Sequence, residues 1–228
     1  MKTDFLGQHP LFADMTSDER ALLMQKVRTK QFSDGEAVFQ RGDRGTFMVS
    51  PQSGRVRIVL YSDEGKEVLL NLIEPGQVFG EFSFLDGGVR SASAIADGEC
   101  SLMLFDRADL LPVMKQNPNI ALKLLGQMSA LLRQNTDLIE TIALLPLPAR
   151  LARVLLRLAK RYGKTAPNGI LVDSNLNQNE YGQLIATSRE SVNKQLRAWQ
   201  QDGLIEFSND RVLIRDMQAL TALAHLAE

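Results

Sequence analysis

Short apolar runs broken by glycine fill the chain from about residue 29 to residue 105. Ala37 to Phe39, Val56 to Tyr61, Val68 to Ile73 and Ser101 to Phe105 alternate with turn signals at Gly35, Gly42, Gly54, Gly65, Gly76 and the Gly87-Gly88 pair. Turns at this spacing between short strands predict an antiparallel sandwich or barrel. Ahead of it, Pro10-Leu11-Phe12 and Thr16-Ser17-Asp18-Glu19-Arg20, followed by Leu22, Leu23 and Val27, read as short capped helices.

From Asn117 to Leu145 the texture changes. Gly126 is the one glycine, Pro118 suits a first helical turn, and Pro146 and Pro148 stop the element. One long helix is predicted, on the order of 40 Å in length. Leu124, Met128, Leu131, Leu138, Ile142 and Leu145, with Asn135 in the vacancy, alternate spacings of four and three. Two readings of this stripe are open: a coiled-coil seam across a two-fold axis, and a face packed along the helix's own domain. Beyond Pro148 come an amphipathic helix from Ala149 to Tyr162, with Leu151, Val154, Leu155 and Leu158 on its apolar face, and a loop at Pro167-Asn-Gly169. Two further helices follow, then a hairpin of Leu204 to Phe207 and Val212 to Ile214 around Ser208-Asn-Asp210.

The two helices carry the most specific local pattern of this half. Asn177 and Glu180 form an N-cap pair, Asn179 lies in the first turn, and Tyr181, Leu184 and Ile185 turn inward. Ala186-Thr187 makes a brief turn, Ser188 caps the second helix, and Gly203 ends it. Val192, Leu196 and Trp199 form its buried stripe and direct Arg189, Glu190, Asn193, Lys194 and Arg197 to solvent. Such a face is either simply solvated or suited to a DNA major groove, where Arg pairs with guanine, Glu accepts from cytosine and Asn pairs with adenine. The β-hairpin that follows favours the groove, because a helix-turn-helix with a wing is a known way to seat a recognition helix. Charge agrees: 11 Lys and Arg face 8 Asp and Glu from residue 146 onward, against 15 and 19 before it.

The 228 residues suffice for two modest domains. A single cysteine, Cys100, excludes an internal disulfide and a cysteine-built zinc or iron-sulfur site, and reads as a buried thiol. No run of about 18 apolar residues marks a membrane span, and Met1-Lys-Thr-Asp-Phe-Leu-Gly is no signal peptide, so a cytoplasmic location is expected.

Phe79-Gly80-Glu81-Phe82-Ser83-Phe84 and Arg90-Ser91-Ala92-Ser93-Ala94 form a second constellation. A glycine turn opens a short helix whose free amides can cradle a phosphate. Arg90 supplies compensating charge, Ser91 adds a hydroxyl, and Glu81 can accept from a ribose hydroxyl. A surface ion pair of Arg90 with Asp86 or Glu99 is the alternative.

These strings resemble the phosphate-binding cassette of the cyclic-AMP receptor protein and fumarate-nitrate reductase regulator family. The resemblance runs from Pro10-Leu11-Phe12 through Gly42-Asp43 and Gly54-Arg-Val-Arg-Ile58 to Ser188-Arg-Glu-Ser-Val192. It implies an α+β chain divided into a cyclic-nucleotide-binding β-roll over 1–116, a dimerisation helix over 117–145 and a winged helix-turn-helix over 146–228. It also implies a homodimer on pseudo-palindromic double-stranded DNA, contacting RNA polymerase if it activates, with cAMP or cGMP as allosteric ligand. The nucleotide falls to Gly80, Glu81, Phe82, Ser83, Arg90 and Ser91, with Asn135 and Thr136 toward the base and Thr136 reaching across the dimer. DNA falls to Asn177, Asn179, Ser188, Arg189, Glu190, Asn193, Lys194 and Arg197, with Arg189 and Glu190 at positions that read a TGTGA-like half-site.

Two departures alter the expectation. The family commonly places a Thr-Ser pair at the adenine, where this chain has Asn135-Thr136. Asn both donates and accepts, so guanine is open as the purine, and Asn135 can equally set helix register. Pro51 interrupts what is usually an apolar strand and should weaken pairing or mark an edge. A cyclic-di-GMP sensor, a ligand-independent regulator and a cyclic-nucleotide-binding regulatory subunit are the rival readings. No histidine near Glu81 and Arg90 and no carboxylate cluster supports an enzyme or a metal, and His9 and His225 lend little to a haem.

Overall fold

The computed structural model describes residues 2–65, 67–174, 176–208 and 211–225. They fall into two compact units, Met1–Leu131 and Leu132–Glu228.

The first unit opens with α1 (Lys2–Gln8) and α2 (Ser17–Lys26). Thr16 and Glu19 close a reciprocal capping box on α2, as their spacing predicts. An antiparallel sheet follows, built from β1 (Arg28–Phe32), β2 (Ala37–Phe39), β3 (Phe47–Tyr61), β4 (Glu67–Ile73) and β5 (Ser93–Asp106), with α3 (Glu81–Asp86) between β4 and β5 and α4 (Arg107–Gln116) after β5. The strand order is β1-β5-β3-β4, and β2 also pairs with β5. Side chains alternate across a strand, so β3 and β5 feed two cores. Met48, Met103 and Phe105 join Leu11, Phe12, Phe84 and Leu110 in one. Val49, Leu102 and Leu104 join Phe32, Phe39, Val56 and Phe79 in the other.

Pro51 sits where its missing N–H costs least. It pairs with Leu102 of β5, β4 does not reach β3 until Val56, and the β3–β5 register shifts between Pro51 and Ser53. Cys100 is buried, and its thiol donates to the Arg55 carbonyl at 2.9 Å. Its neighbour across the sheet is Gly54, at φ +79°, where a Cβ would come within 2.5 Å of the Glu99 carbonyl. Only glycine meets both demands.

The long helix α5 (Pro118–Leu144) carries the chain into the second unit. Part of the stripe packs within the chain itself, the second of its two readings. Leu124 is buried in the first unit's own core, Leu145 is buried, and Met128, Leu131, Leu138 and Ile142 are half-buried. The exposed apolar stripe lies about one residue further round, at Leu122, Leu125, Leu132 and Ile139, the last two each 68% exposed. Ser129, Thr136 and Ala143 fill the vacancies of that three-and-four pattern. The reason is amphipathicity on two sides: one apolar face serves the chain's own packing, and a second is left over.

The second unit continues with α6 (Leu147–Tyr162), β6 (Gly163–Ala166), β7 (Gly169–Val172), α7 (Gln178–Leu184), α8 (Arg189–Gln201), β8 (Ile205–Ser208), β9 (Arg211–Ile214) and α9 (Met217–Ala224). Its sheet runs β6-β7-β9-β8. The stretch read as a loop at Pro167-Asn-Gly169 is the turn of the β6–β7 hairpin. Gly163-Lys-Thr-Ala166 carries no alternation that would betray a strand, and pairing of β7 with β9 is what fixes it. The expected β8–β9 hairpin forms, while its turn residues Asn209 and Asp210 lie outside the described residues.

Candidate functional sites: a sensing cassette and a DNA-reading helix

In the first unit, Gly80 adopts φ +77° and opens α3, with Gly87 closing it. Arg90 is 2% exposed and folds back onto this turn. Its guanidinium donates to the Gly80 carbonyl at 2.8 Å, the Ser83 hydroxyl at 2.9 Å and the Phe47 carbonyl at 2.6 Å. Phe39 and Phe47 lie 4.0 and 4.7 Å from it as cation–π partners. The approach is so close that a Cβ on Gly80 would fall 2.4 Å from the guanidinium, which is a second reason for glycine there. Burial pulls the Arg90 pKa down to about 10, against the opposing charges of Glu81 and Asp43. The surface ion pair with Asp86 or Glu99 is therefore not formed. Asp86 instead accepts from the Gly88 N–H at 2.7 Å.

Glu81 is buried, and loss of solvent raises its pKa, partly offset by its own backbone N–H and by Arg90. The Arg90 Nε atom is buried without a partner among the described residues. An orphaned cationic donor beside a left-handed glycine turn fits an anionic ligand. Gly80, Glu81, Ser83 and Arg90 thus come together, with Ser91 and Phe82 exposed on either side. Asn135 and Thr136 belong to the second unit, both exposed on α5, and the Thr136 hydroxyl donates to the Leu132 carbonyl at 3.0 Å. The aromatic pair Phe39 and Phe47 went unrecognised in the sequence, since only the fold brings them to Arg90.

In the second unit, Asn177 caps α7 by accepting from the Asn179 and Glu180 N–H groups at 2.9 and 3.1 Å. Glu180 returns a bond to the Asn177 N–H at 2.8 Å. Ala186 takes a positive φ of 53° in the turn, and Ser188 caps α8 by accepting from the Ser191 N–H at 3.2 Å. Val192, Leu196 and Trp199 are buried, each such side chain contributing about 1.5–3 kcal/mol. Arg189, Glu190, Lys194 and Arg197 are exposed and Asn193 half-exposed. A trough of about 590 Å³ runs along this face, with Gln178 at its edge. Gln178 accepts from the Asn193 amide at 2.6 Å, a tie between α7 and α8 that sequence spacing did not reveal.

A β-domain with a buried arginine cassette, joined through a long helix to a winged helix-turn-helix, defines a ligand-sensing DNA-binding regulator. Residues 29–117 match the cyclic nucleotide-binding domain model, and residues 149–223 the Crp-like helix-turn-helix domain model. The chain is 31% identical over 221 residues to a CRP-like cAMP-activated global transcriptional regulator of Mycobacterium tuberculosis, covering 97% of this chain and 99% of that one. It is 29% identical to the cyclic AMP receptor protein of Thermus thermophilus, covering 94% and 96%. The fold matches that of the c-di-GMP responsive global regulator CLP of Xanthomonas campestris with a TM-score of 0.77 at 21% identity, over 88% of this chain and all of that one. The chain belongs to the CRP/FNR family of transcriptional regulators, which binds DNA through its helix-turn-helix and is not a family of enzymes. Among the described residues, no helix is long and apolar enough to cross a membrane, and no cluster of three His, Cys, Asp or Glu side chains could hold a metal.

Proposed function

We propose that the chain is a homodimeric cytoplasmic regulator whose DNA binding is controlled by cAMP. The sensor occupies 1–116, the dimer helix 117–145 and the DNA reader 146–228. The observation that carries this reading is Arg90, a buried guanidinium bonded to the Gly80 carbonyl and the Ser83 hydroxyl, with its Nε left without a partner among the described residues. Gly80, Glu81, Ser83, Arg90 and Ser91 hold the cyclic phosphate and ribose, and Phe82 borders them. Asn135 and Thr136 meet the base, and their contact shifts a pre-existing equilibrium toward the DNA-competent arrangement. The cAMP-activated relatives at 31% and the cAMP receptor at 29% identity support the purine. Asn135 favours a second reading, cGMP or cyclic-di-GMP, because its amide can match guanine.

Arg189, Glu190, Asn193, Lys194 and Arg197 face the major groove, and Asn177, Asn179 and Ser188 fix the helix ends that border the phosphates. Two such units address a pseudo-palindrome with half-sites about one helical turn apart. A regulator that activates would then present the bound dimer to RNA polymerase. The test is calorimetric titration with cAMP and cGMP, with Arg90→Ala and Ser91→Ala as controls. Micromolar binding of one nucleotide, lost in Arg90→Ala and accompanied by tighter operator binding, supports the reading. No heat with either nucleotide, in protein that still binds a palindromic duplex, overturns nucleotide control and leaves the DNA reader.

A further inference from the structure

The corner where α5 gives way to α6 holds a cavity of about 300 Å³ that neither site above uses. From α5 it is lined by Gln134, Asp137, Leu138 and Thr141, whose spacing of three, four and seven places them on one helix face. From α6 it is lined by Arg153, Val154 and Arg157. At 100° per residue, the α5 lining lies roughly 160° around the helix from the stripe of Leu125, Leu132 and Ile139. A helix seated on that stripe leaves the cavity open.

The lining groups differ in what they already bind. Arg153 is engaged: it donates to the Ala224 carbonyl at 3.1 Å and the Thr141 hydroxyl at 3.2 Å, and stands 3.7 Å from the Glu140 carboxylate. Arg157, Asp137 and Gln134 have no hydrogen-bond or ion-pair partner among the described residues. Arg157 as a residue is exposed, yet partial loss of water lowers its pKa, reinforced by Arg161 and opposed by Tyr162. One uncommitted guanidinium, one uncommitted carboxylate and an apolar floor of Leu138 and Val154 thus share a space of metabolite size. A phosphate dianion suits them poorly, because Asp137 repels it and only one guanidinium is free to answer it.

We propose that this cavity binds an apolar α-amino acid, its carboxylate on Arg157, its ammonium on Asp137 and its side chain against Leu138 and Val154. Such a ligand bridges α5 and α6 and stiffens the corner between them, a second input to the reader that is independent of the β-domain.

The test is calorimetric titration of the full chain with L-leucine, L-methionine and 4-methylpentanoate, the last being leucine without its ammonium. Arg157→Gln and Asp137→Asn are the variants, and neither residue belongs to the cassette or the recognition helix. The expected result is L-leucine or L-methionine binding, weakened about tenfold or more by each variant, with 4-methylpentanoate weaker than L-leucine by a similar factor. Retained circular dichroism and operator binding in the variants separate this from unfolding, and nucleotide titration of Arg157→Gln separates it from the cassette. No heat with either amino acid overturns the site. Binding that survives Arg157→Gln, or equal binding of 4-methylpentanoate, overturns the assignment of its groups.

Discussion

The Asn193 amide donates to the Gln178 side-chain carbonyl at 2.6 Å, so a residue of α7 sets the orientation of a residue on the reading face of α8. With one amide hydrogen committed to Gln178, Asn193 offers its carbonyl oxygen more freely to a base edge. Gln178→Ala should weaken operator binding by about 0.5–1.5 kcal/mol and relax preference at the base pair facing Asn193. Competition binding with single-base-pair variants of the operator checks this. An equal loss on every sequence would make Gln178 a phosphate contact.

Arg189→Ala should cost about 1–3 kcal/mol at one base pair of each half-site, whereas a phosphate contact would lower affinity uniformly and reduce the salt slope by about one. The two outcomes are read from the same titration at several salt concentrations.

His9 provides the pH dependence. It is 1% exposed, accepts from the Leu11 N–H at 3.2 Å through Nδ1, and lies 3.1 Å from the Ser50 hydroxyl through Nε2. Burial pulls its pKa from 6.5 to about 4, with a bond to the Gln77 backbone opposing. Between those values the unfolded chain binds more protons than the folded one, so stability rises with pH across the window. The contribution is complete above pH 6.5 and is lost as pH falls toward 4. Urea denaturation at pH 5 should show about 2 kcal/mol less of it than at pH 7, and His9→Gln should flatten that dependence.

The stripe on α5 predicts oligomeric state. Leu132→Glu with Ile139→Glu should convert the proposed dimer into a monomer with unchanged helix content, read by sedimentation velocity. Both side chains are 68% exposed, so the folded protomer has little to lose by their replacement.

What the sequence disclosed and what it hid differ in range. The Asn177–Glu180 box, the Ser188 cap and the Val192, Leu196, Trp199 stripe were legible because each depends on spacing within one helical turn or two. The cassette was legible as a string, yet the direction of Arg90 was not, because Phe39 and Phe47 reach it only through the sheet. On α5 the helix was legible and its outward face was not. Leu124 and Leu125 are equally apolar in sequence, and only packing onto Phe12 and its neighbours separates the buried one from the exposed one. The short helix α9 and the β6–β7 hairpin carry too few residues for periodicity to register.

The inward fold of Arg90 bears on time as well as affinity. Its three bonds to Gly80, Ser83 and Phe47 act as a latch that an arriving anion must share or displace. If release of that latch precedes capture, the observed binding rate becomes independent of ligand concentration at saturation, on a plateau equal to the release rate. Ser83→Ala, which removes one of the three bonds, should raise that plateau. The speed with which the chain answers a change in its signal would then be written into the bond between Ser83 and Arg90, apart from any bond that serine makes to the ligand.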